Sequence, residues 1–246
     1  MKKIIFFTVI FLISFSTLTL AANYEFDGGY IYTTFDSDNL NNAVNELNDY
    51  YQDQIDSAEN DPSIDLEINN FDKMDKLDNA DGYWIGFKSD YFKSQLGLDY
   101  RIGVRYESFA KEVTSNLRLE DPNTVDYRQY SNSLEVEVNG FAINGESRVN
   151  KYFGLTSTIG YYYGEIKTSR VYNDASQVEP SKLKGNNDLE GGAGIKVGIY
   201  TEFPLSENLT VLGDLNYRVL ELDIENSNQS IDFDGWEFKG GLTYKF

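Results

Sequence analysis

The sequence predicts an all-β fold, an eight-stranded antiparallel up-and-down transmembrane β-barrel with four long extracellular loops. Three observations predict it. Eight segments alternate between apolar or small residues and polar residues, the period that places each set on its own face of a strand. The connections between the segments are alternately short and long. The last segment keeps its alternation up to Phe246.

Each alternating segment is predicted to be one strand. The segments are residues 24–34, 83–91, 96–106, 134–142, 153–163, 193–203, 209–219 and 236–246. One set of alternating positions is free of charge in all eight segments, although 25% of the chain is charged. Val136 in the fourth segment and Ile159 in the fifth belong to this apolar set. The other set carries the charged residues, so each predicted strand has one apolar and one polar face.

Connection lengths predict the topology. Three connections are short, at residues 92–95, 144–151 and 204–208, and four are long, at 36–82, 110–132, 165–190 and 221–234. An even number of strands joined in this way places both termini and all short turns at one end of a barrel. The first long loop repeats apolar residues at helical spacing, which predicts an amphipathic helix over residues 38–57. These residues are Leu40, Ala43, Val44, Leu47, Tyr50, Tyr51 and Ile55.

The first 22 residues are predicted to be a secretory signal peptide, which leaves residues 23–246 as the barrel domain. Lys2 and Lys3 precede an apolar run that ends at Ala21 and Ala22, and a charged start, an apolar stretch and small residues are the parts such a signal needs. A membrane anchor is the alternative interpretation. The chain has no cysteine, which excludes a disulfide scaffold.

The chain is strongly acidic, with a formal net charge of −19. Residues 36–82, the long acidic first extracellular loop, hold fourteen Asp or Glu against Lys73 and Lys76. Without a cluster of Lys or Arg, nucleic acid is excluded as a partner. Acidic loops supply oxygen ligands, so an external ligand or a divalent cation at these loops is a predicted partner. The stretch DSDNLNNAVNE lacks the central glycine of a calcium-binding loop.

Alternation alone leaves two fold classes open. A soluble, lipocalin-like barrel would bury the apolar face around a ligand, and a membrane barrel would turn that face to lipid. Small residues between the charged ones, aromatic residues toward strand ends and the loop asymmetry favour the membrane barrel. In that case the charged residues form a lumen network without metal or cofactor. Its predicted members are Arg101, Arg105, Glu107, Glu135, Glu137, Lys196, Asp214, Arg218, Glu237 and Lys239.

The chain resembles the small eight-stranded outer-membrane barrels, the group of the OmpA transmembrane domain, OmpX and OmpW. The resemblance is carried by this architecture and by the last strand, where Phe238, Leu242, Tyr244 and Phe246 alternate up to a terminal phenylalanine. It implies that these four residues are an assembly signal read by the outer-membrane assembly machinery. It also implies a location in the cell outer membrane, with outer-membrane lipid as a partner.

The predicted function is a non-catalytic membrane scaffold whose acidic surface loops make external contacts. Enzymes of similar architecture rely on histidine, and this chain has none, so its serines lack an evident general base. The first alternative is a narrow, OmpW-like channel for small or apolar solutes. Its candidate lining residues are Phe35, Phe109, Phe141 and Leu212. The second alternative is the soluble lipocalin-like carrier.

Overall fold

The computed structural model describes residues 24–60, 67–93, 99–175 and 180–246, so the predicted signal peptide lies outside the described residues. This part of the chain contains one helix, α1 (Asp38–Asn60). Its strands are β1 (Tyr24–Thr34), β2 (Glu67–Asp72), β3 (Asn79–Ser89), β4 (Phe92–Lys93), β5 (Asp99–Glu120), β6 (Tyr127–Asn150), β7 (Phe153–Asp174), β8 (Ser181–Pro204), β9 (Leu209–Asp223), β10 (Ser230–Asp232) and β11 (Gly235–Lys245).

Eight of these strands close into a barrel, which confirms the predicted fold class. The ring runs β1, β3, β5, β6, β7, β8, β9 and β11, and every neighbouring pair is antiparallel. It closes between β1 and β11, in a register from Glu25 opposite Lys245 to Thr33 opposite Glu237. The short strands β2 and β4 pair with β5, and β10 pairs with β9, outside the ring.

The polarity of the barrel is the reverse of that of a soluble protein. Ile102, Ile159 and Val197 lie exposed on the outer wall, whereas Arg101 and Lys196 are buried inside. A carrier in water would bury the first group and expose the second, so the lipocalin-like alternative is wrong. No helix in the described part of the chain has the length and hydropathy of a membrane span.

The middle strands are about twice as long as a membrane crossing requires. Strands β5 to β8 have 22, 24, 22 and 24 residues, and a tilted strand crosses a bilayer in about 9–11 residues. The predicted loops at 110–132 and 165–190 are therefore mostly hairpin, which corrects the prediction. The parts of β5 to β8 that continue beyond the predicted membrane segments are called the extensions. Polar residues occupy the outward positions of the extensions, for example Thr114 and Ser133. The apolar outer face of each membrane strand therefore ends before the strand itself ends.

The predicted register of β6 is wrong over the whole predicted segment, residues 134–142, because the set predicted to face outward faces inward. Val136 and Val138 point into the barrel and are buried, while Phe141 and Ile143 are exposed on the outer wall. The reason is that the extension of β6 above the bilayer has water on its outside and an apolar cluster on its inside. Hydrophobicity there marks the inner face, whereas within the bilayer it marks the outer face. In β7, Ile159 faces outward as predicted.

Helix α1 covers the extracellular mouth of the barrel. Leu40 and Val44 are buried in a cluster with residues of β5 to β10, and Met74 and Leu77 of the returning segment join it. The Asn48 side chain accepts a hydrogen bond from the Met74 N–H at 2.9 Å, which pins that segment to the helix. Toward its end, α1 packs Tyr51 and Ile55 on Leu117 and Leu119 of β5, and on the half-buried Phe71 and Tyr130. The helix is three residues longer than predicted and forms part of the core.

Candidate functional site: the barrel lumen and its extracellular cap

Among the residues that the structure describes, equal numbers of acidic and basic residues are buried in the lumen, six of each. They project inward from seven of the eight barrel strands, because charged residues occupy alternate positions facing away from lipid. The acidic residues are Asp27, Glu107, Glu146, Glu202, Asp214 and Glu237, and the basic residues are Lys88, Arg101, Arg105, Lys196, Arg218 and Lys239. A balanced interior is what the cost of an unpaired buried charge requires.

Arginines hold the lower part of the network, near the short turns. The Arg101 guanidinium donates to Glu146 at 2.5 Å, to Glu25 at 2.8 Å and also to Glu202. Because each nitrogen of its fork meets a different carboxylate, Arg101 ties strands β1, β6 and β8 together across the lumen.

Arg105 makes a second bridge directly above the first. It lies 3.1 Å from Asp27, 3.0 Å from Glu146 and 3.3 Å from Asp214. Lys88 adds ion pairs to Glu202 at 3.4 Å and to Asp27 at 3.6 Å. These contacts connect opposite walls of the barrel, so the lower lumen is filled with paired side chains.

The upper part of the network is built around two glutamates. Lys196 and Lys239 each contact both Glu107 and Glu237, and the Tyr162 hydroxyl donates to Glu107 at 2.8 Å. Glycines on three strands make room for the Tyr162 ring. At Gly140, Gly160 and Gly194 a Cβ atom would lie 2.2–2.8 Å from that ring, so these positions exclude a side chain.

The structure brings eight of the ten predicted network residues into the lumen, namely Arg101, Arg105, Glu107, Lys196, Asp214, Arg218, Glu237 and Lys239. Glu135 and Glu137 do not belong to it. They lie on the outer surface of β6, 3.6 Å and 3.3 Å from Lys167 of β7, because the register of β6 is shifted by one residue from the prediction. Glu146 was missed since it falls in the predicted short turn at 144–151, whereas β6 continues to Asn150.

Aromatic rings complete the inner wall. The guanidinium carbon of Arg101 lies 4.4 Å from the centre of the Tyr91 ring, and that of Arg105 lies 4.7 Å from Trp84. The Tyr91 hydroxyl lies 2.7 Å from that of Tyr200. Tyr91 was predicted on the apolar outer face, but β3 ends at Ser89 and the chain turns inward. Such cation–π contacts add to the pairing of desolvated arginines.

An apolar cluster closes the lumen above the charges. Phe35 and Phe109 belong to it, and Leu212 packs lower down against Ile31 and Trp84. Phe141, the fourth candidate for an apolar channel, lies on the lipid-facing wall instead. The channel candidates therefore occupy two separate packed clusters and the outer surface, and they do not line one passage.

The extracellular face of α1 is acidic. Glu46, Asp49, Asp53 and Asp56 are exposed on the side of the helix that faces away from the barrel, and α1 contains neither Lys nor Arg. Among the residues that the structure describes, no group of three or more ligating side chains is arranged to hold a metal ion.

Titratable groups of the extracellular part respond to local contacts. The hydrogen bond from Lys167 to Glu165 raises the pKa of Lys167 above its ordinary value. Burial raises the pKa of Tyr51 on the inner face of α1 and that of Tyr130 on β6. A raised pKa keeps Lys167 protonated and both tyrosines neutral at neutral pH, which are the ordinary charge states of these groups.

The predicted assembly signal lies along the closing strand. Phe238, Leu242, Tyr244 and Phe246 are exposed on its lipid-facing side. The rings of Tyr244 and Phe246 pack edge to face with centroids 5.3 Å apart. The Phe246 N–H also donates to the Tyr24 carbonyl at 3.3 Å, which extends the seam between β11 and β1 to the last residue.

These features together define the class of protein. A closed ring of eight antiparallel strands, an apolar outer wall with aromatic residues toward its edges, a charged interior and long extensions at one end are the features of outer-membrane barrels. The chain is a small β-barrel of the outer-membrane type and is located in the outer membrane.

The solved structures that are similar to the chain include the following three proteins. The attachment invasion locus protein Ail of Yersinia pestis, in complex with the heparin analogue sucrose octasulfate, shares 10% identity at a TM-score of 0.44, over 92% of this chain and 100% of Ail. Neisserial surface protein A shares 10% sequence identity at a TM-score of 0.39, and the match covers 92% of this chain and 99% of that protein. The outer membrane protease OmpT from Escherichia coli shares 11% sequence identity at a TM-score of 0.40, and the match covers 94% of this chain and 100% of OmpT. The sequence matches no family model and no curated protein.

Proposed function

We propose that the protein is a non-catalytic outer-membrane scaffold that presents an acidic extracellular surface for external contacts. The observation that carries this proposal is the closed lumen. Paired charges fill its lower part, and the apolar cluster beneath α1 fills its upper part. An eight-stranded barrel is only wide enough for side chains to fill its interior. A packed interior leaves the extracellular surface as the place where the protein meets partners.

A closed lumen is expected to conduct no ions. In planar bilayers the wild-type protein should give no steady conductance above that of a bilayer treated with the same detergent alone. The physical reason is that a permeating ion would have to break buried ion pairs that connect opposite walls of the lumen, such as those of Arg105 with Asp27 and Asp214. Reproducible current steps, or flux of a small solute into vesicles containing the protein, would support the narrow channel instead.

The acidic face of α1 is the proposed contact surface, for a cationic external ligand or a divalent cation. The helix holds this face rigidly, because Leu40, Val44, Tyr51 and Ile55 on its other side are buried. Loops held on a rigid scaffold are where recognition is commonly placed. The proposal therefore locates contact on a surface that is both ordered and uniformly charged.

Neutralising this face should weaken binding of a cationic probe. The variant Glu46→Gln, Asp49→Asn, Asp53→Asn, Asp56→Asn is expected to bind poly-lysine about tenfold less tightly than the wild type, which corresponds to ~1.4 kcal/mol. Binding is measured in vesicles at low ionic strength, where surface charges are least screened.

The matched control neutralises four exposed acidic residues outside α1. In this control, Glu112, Asp126, Asp223 and Glu225 are replaced by their amides, so the change in net charge is the same as in the α1 variant. Equal loss of binding in both variants would mean that net charge, and not the α1 face, attracts the probe. Poly-glutamate should bind neither variant.

The terminal strand is proposed to direct assembly in the outer membrane. Deleting Phe246 should lower the fraction of the protein recovered in the outer membrane and leave misfolded chain in the periplasm, because the deletion removes a terminal aromatic ring and the last bond of the seam with β1. Phe246→Tyr keeps both features and should insert normally. Cell fractionation measures both variants, and wild-type recovery after the deletion would rule Phe246 out as an assembly signal.

A further inference from the structure

The extracellular half of β8 has a partner strand on one side only. Residues 181–187 pair with β7 along their whole length. On the other side, β9 pairs with β8 from Gly194 to the end of the strand, and a single bridge between Leu189 and Ile224 lies above that ladder. Among the residues that the structure describes, no strand pairs with residues 181–187 on the side away from β7.

This unpaired side of residues 181–187, the β8 edge, borders the end of β9. Strand β9 stops at Asp223, and β10 pairs with β9 instead of β8. The Glu225 N–H donates to the Asp188 carbonyl at 2.9 Å. Beyond that hydrogen bond, β8 continues toward its extracellular end for about 23 Å of strand. All of residues 181–187 are exposed, so the β8 edge is accessible to a partner.

The β8 edge lacks most of the devices that protect a strand edge. An unpaired edge presents backbone N–H and C=O groups that can pair with another strand. Proline, a bulge or a covering loop commonly prevents such pairing. Residues 181–187 contain no proline, and their register with β7 has no bulge. The side chains of this segment therefore decide which partner the edge accepts.

The charges of the β8 edge favour an acidic partner. Lys182 and Lys184 lie exposed on the outer face of the sheet. Neither forms an ion pair in the described part of the chain, whereas Lys167 of β7 lies 2.6 Å from Glu165. A strand with carboxylates two residues apart would pair with both free lysines. Two copies in one membrane carry β8 in the same direction, so matched edges would bring lysine beside lysine, which is unfavourable.

We propose that the β8 edge binds an extended acidic segment of a partner protein, which adds one strand to the extracellular sheet. Backbone hydrogen bonds along residues 181–187 supply affinity, as in other complexes formed by strand addition. Lys182 and Lys184 select carboxylates at alternate positions of that segment. Leu183, 68% exposed on the opposite face, favours an apolar residue between them. The β8 edge is separate from the acidic face of α1 and opposite in charge, so it serves a different partner.

The experiment measures binding of a short peptide with blocked ends, in which glutamate alternates with valine, to the full chain in lipid vesicles at low ionic strength. This peptide is expected to bind in a saturable manner. A peptide in which glutamate alternates with proline carries the same charge but lacks N–H groups that a ladder needs, so it should bind far less tightly. Equal binding of both peptides, or no binding of the glutamate–valine peptide, would overturn the proposal.

Two double variants assign the binding to the β8 edge. The variant Lys182→Glu, Lys184→Glu should bind the glutamate–valine peptide about tenfold less tightly than the wild type. It should bind a peptide in which lysine alternates with valine more tightly than the wild type does. The control Lys73→Glu, Lys76→Glu makes the same change in net charge at exposed positions of the first long loop and should keep both affinities close to those of the wild type. Equal effects of the two variants, or an unchanged peptide preference in the first, would overturn the proposal.

Hydrogen exchange provides a test that does not depend on the folding of a variant. Binding of the glutamate–valine peptide to the wild type should slow the exchange of backbone amides within residues 181–187, because those on the β8 edge become hydrogen-bonded to the added strand. Unchanged exchange in the bound state would mean contact through side chains alone and would overturn the proposal. Dimers cross-linked through this segment in vesicles without peptide would place a second copy on the edge and would also overturn it.

Discussion

Replacing Arg105 by methionine is expected to lower the free energy of unfolding by about 3–5 kcal/mol, the usual cost of removing one partner from a buried ion pair. Arg105 is buried and contacts carboxylates on β1, β6 and β9. Methionine has a similar length but no charge, so Asp27 and Asp214 would stay buried with less compensation. The measurement is equilibrium unfolding by guanidinium chloride in lipid vesicles, followed by the heat-modifiable mobility of the folded barrel.

Two further variants test the cause of this loss. Adding Asp27→Asn and Asp214→Asn to Arg105→Met should restore part of the stability, because the uncompensated charges disappear. Arg118→Met removes an exposed arginine from the extension of β5 and should unfold close to the wild-type midpoint, since exposed ion pairs contribute little. Equal destabilisation by Arg105→Met and Arg118→Met would mean that the lumen network is not what stabilises the barrel.

Replacing Ile143 by arginine is expected to lower the free energy of unfolding by ~2–4 kcal/mol, because the new charge would meet the hydrocarbon of the bilayer. Ile143 is exposed on the outer wall of β6 and lies opposite Ile159 of β7. Ser133→Arg is the matched control. It places the same side chain on the same face of the same strand, ten residues toward the extracellular end, where the outer face meets water.

The two arginine variants should therefore differ strongly in their unfolding midpoints in vesicles, with Ser133→Arg close to the wild type. If both variants lose the same stability, the extension of β6 lies within the bilayer. If neither loses stability, the outer wall near Ile143 is in contact with water. Either outcome contradicts the position of the membrane along β6.

The first long loop has a larger structural role than its acidity indicates. Helical spacing predicted α1, and the acidic residues predicted a solvated surface; the structure contains both on opposite faces of one helix. Val44 and Leu77 are completely buried in the cluster above the charged lumen. Excision of the loop would expose that cluster to water, so point variants of the acidic face, which leave the core intact, are the suitable test of external contact.

Local alternation was sufficient to predict eight strands, their order and the charged residues that lie at membrane depth. Arg101, Arg105 and Lys239 alternate with apolar or small neighbours that face lipid. Since successive side chains of a strand point to opposite faces, these charged residues must face away from the lipid. The alternating connection lengths then placed the long loops at one end. Both signals, the alternation within each segment and the distance along the chain between segments, are properties of the sequence itself, which is why the ring could be predicted without tertiary information.

The extent and register of the long strands could not be predicted, because both depend on partners distant in the sequence. Alternation in β6 looks the same whether its apolar side faces lipid or an interior cluster, and Val138 faces inward because α1 and neighbouring strands supply that cluster. Glu135 and Glu137 consequently lie outside, paired with Lys167, and Glu146 lies inside. A pattern of period two shows that a strand has two faces, but packing across the barrel determines which face each environment meets.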